Sequence, residues 1–472
     1  MLGRTEFYVD GDWVKPAEAG VIDVLNPATE EVIGAVGRGT AKDVDSAVKA
    51  ARGAFPLFAA TDQEERIALI ERIMAIFESR ARDIASVISQ EMGSPITFAY
   101  QAQAMGPLQH FRMAIDTLRG YAMERPMHGA TVVREPIGVC GLITAWNWPL
   151  SLIASKLAYA LAAGCTVVLK PSEISPLSAL MLAEVVHDSK APPGVFNLVN
   201  GNGPIVGHAI ASHSDIDMVS FTGSTRAGVL VAKAAADTVK RVHQELGGKS
   251  ANIILPGADV AAAAQANIQR LFANAGQSCQ APTRMLVHAS DYEEAVAHAR
   301  MAAEQVNVGD PANPETFLGP VVSEAQFERV QGFIQSGIAE GARVVTGGLG
   351  RPNGVPRGYF VKPTVFGDVN NQMQIARGEI FGPVLPILPY ADVDEAVEIA
   401  NDTPYGLATY VQGATVAEAR ALAPRLRSGR VYVNTMGQHL LAPFGGYKQS
   451  GNGREQGEFG LEEYLEIKAI IE

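Results

Sequence analysis

A regular alternation of short apolar runs and longer Ala- and Leu-rich stretches, between Arg134 and Glu245, constrains the fold more than any other feature of this chain. The short runs predict strands, at Ile137–Thr144, Thr166–Leu169, Val195–Val199, Met218–Phe221 and Arg241–Gln244. The longer stretches predict helices, most clearly at Ala154–Ala163, Ser178–Asp188 and Ala227–Ala236. Such an alternation forms right-handed βαβ units around a parallel sheet. A less regular alternation from Ala251 to Asn434 predicts a second α/β domain.

Composition and cysteine usage restrict the class of protein. The 472 residues include 38 basic and 50 acidic ones, a net charge of −12, which argues against nucleic acid or an anionic membrane as a partner. Three cysteines form no disulfide framework, and the N-terminus has no apolar signal region. The apolar stretch Leu152–Leu169 is interrupted by Lys156 and Gly164, so we expect a cytoplasmic protein without a membrane span.

Cys279 is the candidate nucleophile. It follows a segment of small and polar residues, Asn274–Ser278, and a loop of this kind gives a thiol the access that nucleophilic attack needs. A buried core thiol is the alternative, and it suits the apolar surroundings of Cys140 and Cys165. Histidines at metal-binding spacing and a C-x-x-C pair do not occur, so no metal site is predicted.

Two further polar residues stand at strand ends. Glu245 follows a predicted strand, where catalytic groups of open α/β sheets lie, but a solvated loop charge is the alternative. Asn147 lies between Trp146 and Trp148, and its amide could donate to an oxyanion or cap the next helix.

Three segments are candidates for binding a nucleotide. Gly201–Gly207 is one residue too long for the dinucleotide fingerprint, and we reject it as a standard phosphate loop. Phe221–Thr225 offers free N–H groups and hydroxyls at a helix start, with an ordinary cap as the alternative. Lys170 and Glu173 follow a strand and could bind ribose hydroxyls, with solvated charges in a plain turn as the alternative.

Taken together and in order, these segments resemble the motifs of the aldehyde dehydrogenase superfamily, in its NAD(P)-dependent, hydrolytic, non-acylating branch. The resemblance runs from about residue 26 to the C-terminus. Seven motifs carry it, namely Trp146–Pro149, Lys170–Glu173, Phe221–Ser224, Glu245–Lys249, Gly276–Cys279, Glu379–Pro383 and Pro443–Lys448.

The resemblance implies roles for four catalytic residues. Cys279 would add to the aldehyde and form a thiohemiacetal and then a thioester, and Asn147 would stabilise the oxyanion. Glu245 would be the general base for hydrolysis, and Lys156 would take part in proton handling. Arg284 resembles a structural arginine of the family.

The resemblance also implies contacts with cofactor and substrate. NAD would be bound in preference to NADP, by Thr144, Trp146, Lys170, Ser172, Glu173, Gly203, Phe221, Gly223, Ser224, Leu246, Glu379 and Phe381. A substrate tunnel would be lined by Gly106, Trp148, Ser151, Ser155, Ala273, Met436 and Gln438. These seven include no Lys or Arg and several small residues, so we expect a bulky, uncharged, apolar aldehyde.

The implied architecture has three parts and assembles into a dimer or tetramer. Residues 1–119 and 138–246 would form a Rossmann-like, doubly wound NAD-binding domain, and 247–440 the catalytic α/β domain. Residues 120–137 and 460–472 would form an oligomerisation hairpin and strand, and 441–459 would return to the cofactor domain.

Alternative functions belong to other classes. They are a semialdehyde or aminoaldehyde dehydrogenase, a relative that passes the thioester to coenzyme A, a thiol hydrolase, and a catalytically silent binding protein. Intact Cys279, Glu245 and Asn147, together with the nucleotide motifs, favour the hydrolytic dehydrogenase over these.

Overall fold

A computed structural model describes residues 2–437 and 439–471. Its strands are β1 Phe7–Val9, β2 Asp12–Val14, β3 Val21–Asn26, β4 Glu31–Gly37, β5 Glu124–Met127, β6 Ala130–Pro136, β7 Val139–Ile143, β8 Thr166–Lys170, β9 Phe196–Leu198, β10 Met218–Thr222, β11 Arg241–Glu245, β12 Ala251–Ile254, β13 Arg284–His288, β14 Arg343–Thr346, β15 Thr364–Gly367, β16 Val384–Tyr390, β17 Ala408–Gln412, β18 Arg430–Val433, β19 Gly451–Asn452 and β20 Leu465–Ile471.

The α-helices lie between and before these strands. They are α1 Ala41–Ala59, α2 Gln63–Ser79, α3 Ala81–Met92, α4 Ile96–Phe98, α5 Gly106–Gly120, α6 Pro149–Ala163, α7 Leu177–Asp188, α8 His208–Ser212, α9 Thr225–Ala235, α10 Val260–Phe272, α11 Tyr292–Glu304, α12 Glu324–Ala339, α13 Gln374–Arg377, α14 Val393–Asn401, α15 Val416–Leu422 and α16 Gly457–Glu462. π-helical turns occupy Ala99–Ala104 and Gly203–Gly207. None of these described helices is long and apolar enough to cross a membrane.

The first sheet has the order β19-β11-β10-β7-β8-β9-β1-β2 over the described residues. Its five central strands are parallel, and β19, β1 and β2 add antiparallel edges. Strands β7, β8 and β10 are buried along their whole length, as expected for a parallel sheet with helices on both faces. The α/β alternation predicted from the sequence is therefore confirmed, with strand ends shifted by one or two residues.

The second sheet has the order β14-β15-β16-β13-β12-β17-β18, parallel except for β14, and it confirms the predicted second α/β region. Arg284 opens β13 and is fully buried, and it donates hydrogen bonds to the carbonyls of Lys249, Ile399 and Ala400. This guanidinium thus joins the start of β13 to the C-terminal end of α14.

A third, antiparallel sheet has the order β20-β6-β5. Strand β20 pairs with β6 along its whole length, yet all its residues after Leu465 are exposed. Ile467, Ile470 and Ile471 are among the exposed large apolar side chains. The sheet therefore presents a row of uncovered isoleucines.

Candidate active site

Four neighbouring strands of the first sheet end at the same edge, and the predicted site residues collect there. Register pairs Ile143 with Lys170 and Thr222 with Glu245, so the residues that follow β7, β8, β10 and β11 lie side by side. The carboxyl edge of a parallel sheet is where ligands of open α/β folds bind. The edge lies next to the second sheet through Glu379, whose Oε1 accepts from Gly248 N at 3.0 Å.

Lys170 and Glu173 form a mostly buried pair in place of solvated charges. Lys170 Nζ donates to Glu173 Oε2 at 2.7 Å, and Glu173 Oε1 accepts from Gly203 N at 3.1 Å. Burial acts to raise the pKa of Glu173, but the charge and hydrogen bond of Lys170 outweigh it and hold that pKa below its usual value. An ionised carboxylate is therefore fixed beside the loop that contains Gly203.

The turn after β10 is a capped helix start. Ser224 Oγ accepts from Ala227 N at 3.3 Å, so the ordinary cap weighed for this segment is present. A Cβ at Gly223 would press on the Phe221 ring, so the turn requires a residue without a side chain. Phe221 and Leu246 belong to the apolar cluster beneath this edge. Thr144 and Ser172 are buried above it.

An aromatic pair marks the far side of the same edge. The rings of Trp146 and Phe381 meet edge to face, with centroids 5.4 Å apart. Phe381 has a φ of 61°, a left-handed conformation that a bulky residue rarely adopts. Burial raises the pKa of Glu379, which lies two residues earlier.

The loop before Cys279 holds an uncommon backbone conformation. Asn274 and Ala275 both have a φ of 55°, and Gly276 has one of 75°. Left-handed conformations cost energy in residues with a Cβ and persist where the surroundings enforce them. A Cβ at Gly276 would collide with the backbone of Gly382, so glycine is needed there.

Cys279 itself is partly accessible, whereas Cys140 and Cys165 are buried core thiols as the apolar surroundings predicted. Burial raises the pKa of the Cys279 thiol to about 12, and the negative charges of Glu245 and Glu379 raise it further. The resting thiol therefore carries its proton at neutral pH.

Buried amides hold Asn147 against this loop. Asn147 Nδ2 donates to Gln277 O at 3.1 Å, and its own backbone carbonyl accepts from Asn274 Nδ2 at 2.8 Å. Gln103 Nε2 donates to Asn274 Oδ1 at 3.0 Å and closes the network. The helix cap considered for Asn147 is not formed, because Trp148 is the N-cap residue of α6 and no side chain caps it. The second N–H of the Asn147 amide is left for a ligand.

Glu245 lies in a cluster of buried ionisable groups. It is only 3% exposed, so the solvated loop charge considered from sequence is wrong. Burial raises its pKa well above the ordinary value, and the charge of Glu455 adds to this, while Lys156 and two arginines oppose it. Lys156 is fully buried and forms an ion pair with Glu455 Oε1. Lys156 therefore contacts Glu455 within this cluster.

A cavity of about 330 Å³ opens beside Cys279. Of the predicted tunnel residues, Gly106, Trp148, Ser151 and Ser155 line it. Ala273 is not part of its lining, and Met436 packs instead against the stacked rings of Tyr410 and Tyr432. Gln438 lies outside the described residues.

The cavity wall includes residues that the sequence did not indicate. Its apolar part includes Phe98, Leu152, Leu440 and Phe444, and its polar part includes Arg270, Gln280, Arg430, Glu455 and Gln456. The expectation that the tunnel has no cation is therefore wrong, because two arginines come from α10 and β18, far from every motif. The only available signal was for Asn274 and Gln280, polar residues in the same short segment as Cys279.

Comparison with known proteins identifies the family. A sequence model described as the aldehyde dehydrogenase family matches residues 13–470. A 3-succinoylsemialdehyde-pyridine dehydrogenase of a Pseudomonas species is 53% identical over 100% of this chain and 99% of its own. The chain therefore belongs to the aldehyde dehydrogenase family, as the motifs predicted.

Solved structures agree with this assignment. Aldehyde dehydrogenase C of Pseudomonas syringae, in a complex with NAD+ and octanal, is 54% identical and superimposes with a TM-score of 0.98, over 99% of this chain and 96% of its own. An aldehyde dehydrogenase of Bartonella henselae is 46% identical, with a TM-score of 0.98 over 100% of both chains. The fold class is confirmed, and the chain is an aldehyde oxidoreductase.

Proposed function

We propose that the chain oxidises an aldehyde to the carboxylic acid with NAD+, through a thiohemiacetal and a thioester on Cys279. The observation that carries the proposal is the position of this partly accessible thiol in the cavity wall. Asn147 is hydrogen-bonded to the loop that precedes the thiol, and the charge of Glu245 is close enough to act on it.

The first step is addition of the Cys279 sulfur to the aldehyde carbon. Loss of the thiol proton gives the attacking thiolate, and the carbonyl oxygen becomes an oxyanion. The free N–H of the Asn147 amide and the backbone N–H of Cys279 would donate to that oxygen. The buried amide network fixes Asn147 before the substrate arrives, so little reorganisation accompanies the step.

The residues at the sheet edge fit a dinucleotide, and two glycines support the fit. Gly203 has nothing within 4 Å of a built Cβ, and Gly247 would bring a Cβ against Glu379, so backbone is open for close approach. Lys170 and Glu173 would hold a ribose, Ser224 N–H groups would lie by the pyrophosphate, and Glu379 would face the nicotinamide ribose. NAD+, when bound, accepts the hydride of the thiohemiacetal.

Hydrolysis of the thioester is the work of Glu245. A carboxylate accepts a proton from water as the water attacks the acyl carbon, and the acid leaves while the thiol of Cys279 is restored. A pKa raised by burial makes Glu245 a stronger base than a solvated glutamate. The Lys156–Glu455 ion pair lies in the same buried cluster and could relay the proton.

The substrate we propose is a bulky, uncharged and largely apolar aldehyde. The edge-to-face pair of Phe98 and Trp148, 5.5 Å between centroids, gives the cavity an aromatic wall. Gly106, Ser151 and Ser155 leave space opposite it. Octanal in the Pseudomonas syringae structure is an aldehyde of this class.

One observation favours a second candidate, an aldehyde that carries a carbonyl or carboxylate oxygen at its far end. Arg270 has buried Nε and Nη2 atoms without a hydrogen-bond partner in the described structure. Arg430, by contrast, is engaged by Pro443 O at 2.8 Å and Gln456 Oε1 at 2.7 Å. A guanidinium without an acceptor favours substrates that supply one. The Pseudomonas relative is by name a semialdehyde dehydrogenase.

We also propose that the chain forms a homodimer or homotetramer through the β20-β6-β5 sheet, in a reducing compartment such as the cytoplasm. The exposed isoleucines of β20 support the first proposal, since apolar patches of this kind mark interfaces. Three free thiols support the second. The sheet would then serve as the oligomerisation element, and the first and second sheets as the cofactor and catalytic domains.

Replacing the thiol and the base should have different effects. Cys279→Ser should remove nearly all NADH formation, because a hydroxyl has no comparable anionic population near neutral pH. Glu245→Gln should release about one NADH per site and then turn over slowly, with an acyl-enzyme visible by mass spectrometry. Cys140→Ser is the matched control and should keep activity. Full turnover by the Cys279 variant, or a requirement for coenzyme A, would contradict the mechanism.

NAD should be a better cofactor than NADP. A 2′-phosphate beside the ionised Glu173 carboxylate would add a repulsion of about 1–4 kcal/mol near a protein surface. Lys170 offsets part of it, so we expect a preference and not exclusion. Steady-state kcat/KM with each cofactor measures this, and Glu173→Gln should narrow the ratio. A higher kcat/KM with NADP is the result that excludes the proposed ribose contact.

Substrate preference should follow the cavity wall. We expect kcat/KM to be higher for octanal and benzaldehyde than for acetaldehyde, since each buried methylene adds at most ~0.8 kcal/mol. Succinic semialdehyde should be poor unless Arg270 binds its carboxylate. In that case Arg270→Met should lose the semialdehyde activity and keep that for octanal, while Arg300→Met, at an exposed ion pair, should change neither. Highest efficiency with acetaldehyde would refute both candidates.

Self-association can be measured directly. Light scattering of the purified chain should give the mass of a dimer or tetramer. Ile467→Glu should lower that mass, because it places a charge on the apolar face of β20, whereas Val239→Glu, at an exposed site outside that sheet, should not. A monomeric wild-type chain would contradict the proposed interface.

A further inference from the structure

His243 is a buried histidine to which the mechanism above gives no role. Side chains at i and i+2 of a strand share one face, so β11 places His243 beside Glu245. Ser220 is the register partner of His243 on β10. The imidazole Nδ1 lies 2.9 Å from Ser220 Oγ, and its Nε2 lies 3.6 Å from Glu245 Oε1.

The two facing groups are unsatisfied. Nε2 of His243 and both carboxylate oxygens of Glu245 are buried and have no hydrogen-bond partner in the described part of the chain. The 3.6 Å gap exceeds an ordinary hydrogen bond by about 0.5 Å. A small rotation of the Glu245 side chain closes it, and no other unpaired donor needs to move.

Two glycines make room for this pair. A Cβ at Gly445 would stand 2.8 Å from Glu245 Oε1, and a Cβ at Gly453 would overlap the His243 ring. Gly453 has a φ of 77°, so its backbone also favours glycine. The chain thus forms a small recess that fits one imidazole and one carboxylate. Glu245 is absent from the described lining of the cavity, whereas Glu455 and Cys279 belong to it.

The charges around the recess fix the state of the imidazole. Burial and the positive charges of Lys156 and Arg454 lower the pKa of His243 to about 3, against the opposing charge of Glu455. The ring is therefore neutral and has one N–H. Arg430 is the remaining charged group that acts on Glu245.

The neighbours of Ser220 decide which nitrogen is protonated. The Ser220 hydroxyl also lies beside the Tyr464 phenol, and burial raises the pKa of that phenol well above its usual value. The phenol keeps its proton and can donate to Ser220. Ser220 can then donate to Nδ1, which leaves the proton of the ring on Nε2, facing Glu245.

We propose that His243 is a positioning residue, whose Nε2–H holds the Glu245 carboxylate in a retracted position outside the substrate cavity until the thioester has formed. This inference rests on the proposed role of Glu245 as the base. His243 does not change its protonation: the proton of the attacking water goes to the Glu245 carboxylate, and the carbon–sulfur bond breaks to release the acid. The donor keeps the buried carboxylate ionised and so sets the pH at which the base acts.

The test measures the pH profile of kcat and the burst of NADH formation in four variants. His243→Val removes the donor, so the ionised form of Glu245 loses a hydrogen bond and activity disappears at a higher pH. We expect the acid limb of kcat to rise by about one to two pH units. The NADH burst of one per site should remain, because the thiol is untouched. His243→Gln, which retains an amide donor, should return the limb toward its wild-type position.

Two further variants keep the proposal falsifiable. Ser220→Ala should move the limb in the same direction by less, and it decides the matter should His243→Val not fold. His288→Val removes another histidine bonded to a serine, His288 Nδ1 to Ser290 Oγ at 2.7 Å, and should leave the limb unchanged. An unmoved limb in Ser220→Ala, or a limb that falls in His243→Val, overturns the proposal. A wild-type chain without a burst, or a Glu245→Gln variant with full turnover, would instead refute the function on which it rests.

Discussion

The buried amide network around Asn147 is the interaction on which the rest of the site depends. It joins the loop after β7, the π-helical turn before α5 and the loop after α10, through Asn147, Gln103 and Asn274. A buried amide without a partner costs about 1–3 kcal/mol, so these three segments are stable only together. The left-handed residues before Cys279 are held by the same bonds. The thiol therefore reaches its place only after both α/β sheets have formed.

Buried charge is concentrated at the same edge, and packing alone gives no reason for it. Lys156 and Glu455 are paired, as are Lys170 and Glu173, and removing one partner from such a pair would leave a costly buried charge. Pairs of this kind add little stability compared with apolar side chains of the same size. Glu245 does not even have a hydrogen-bond partner among the described residues. The cost is understandable where a carboxylate must change its proton during a reaction.

The sequence predicted the sheet edge better than it predicted the cavity. Strands β7 to β11 are apolar runs at regular spacing, and their ends carried the motif residues, so periodicity was sufficient. Strands β3 and β4 were missed because they form an edge ribbon that is half exposed, without a regular alternation of buried residues. Arg270, Arg430 and Glu455 reach the cavity from α10, β18 and the segment before α16. Their meeting is a tertiary fact that no local pattern records.

The thiol and the base cannot both be charged at close range, and this orders the steps. Ionised Glu245 raises the pKa of Cys279, so a carboxylate close to the sulfur would suppress the thiolate that starts the reaction. A carboxylate retracted beside His243 opposes it less. Once the sulfur is acylated it carries no charge, and the repulsion between the two groups is gone. The carboxylate can then approach the acyl carbon with its water. The two raised pKa values therefore favour addition while the base is withdrawn and hydrolysis after it returns.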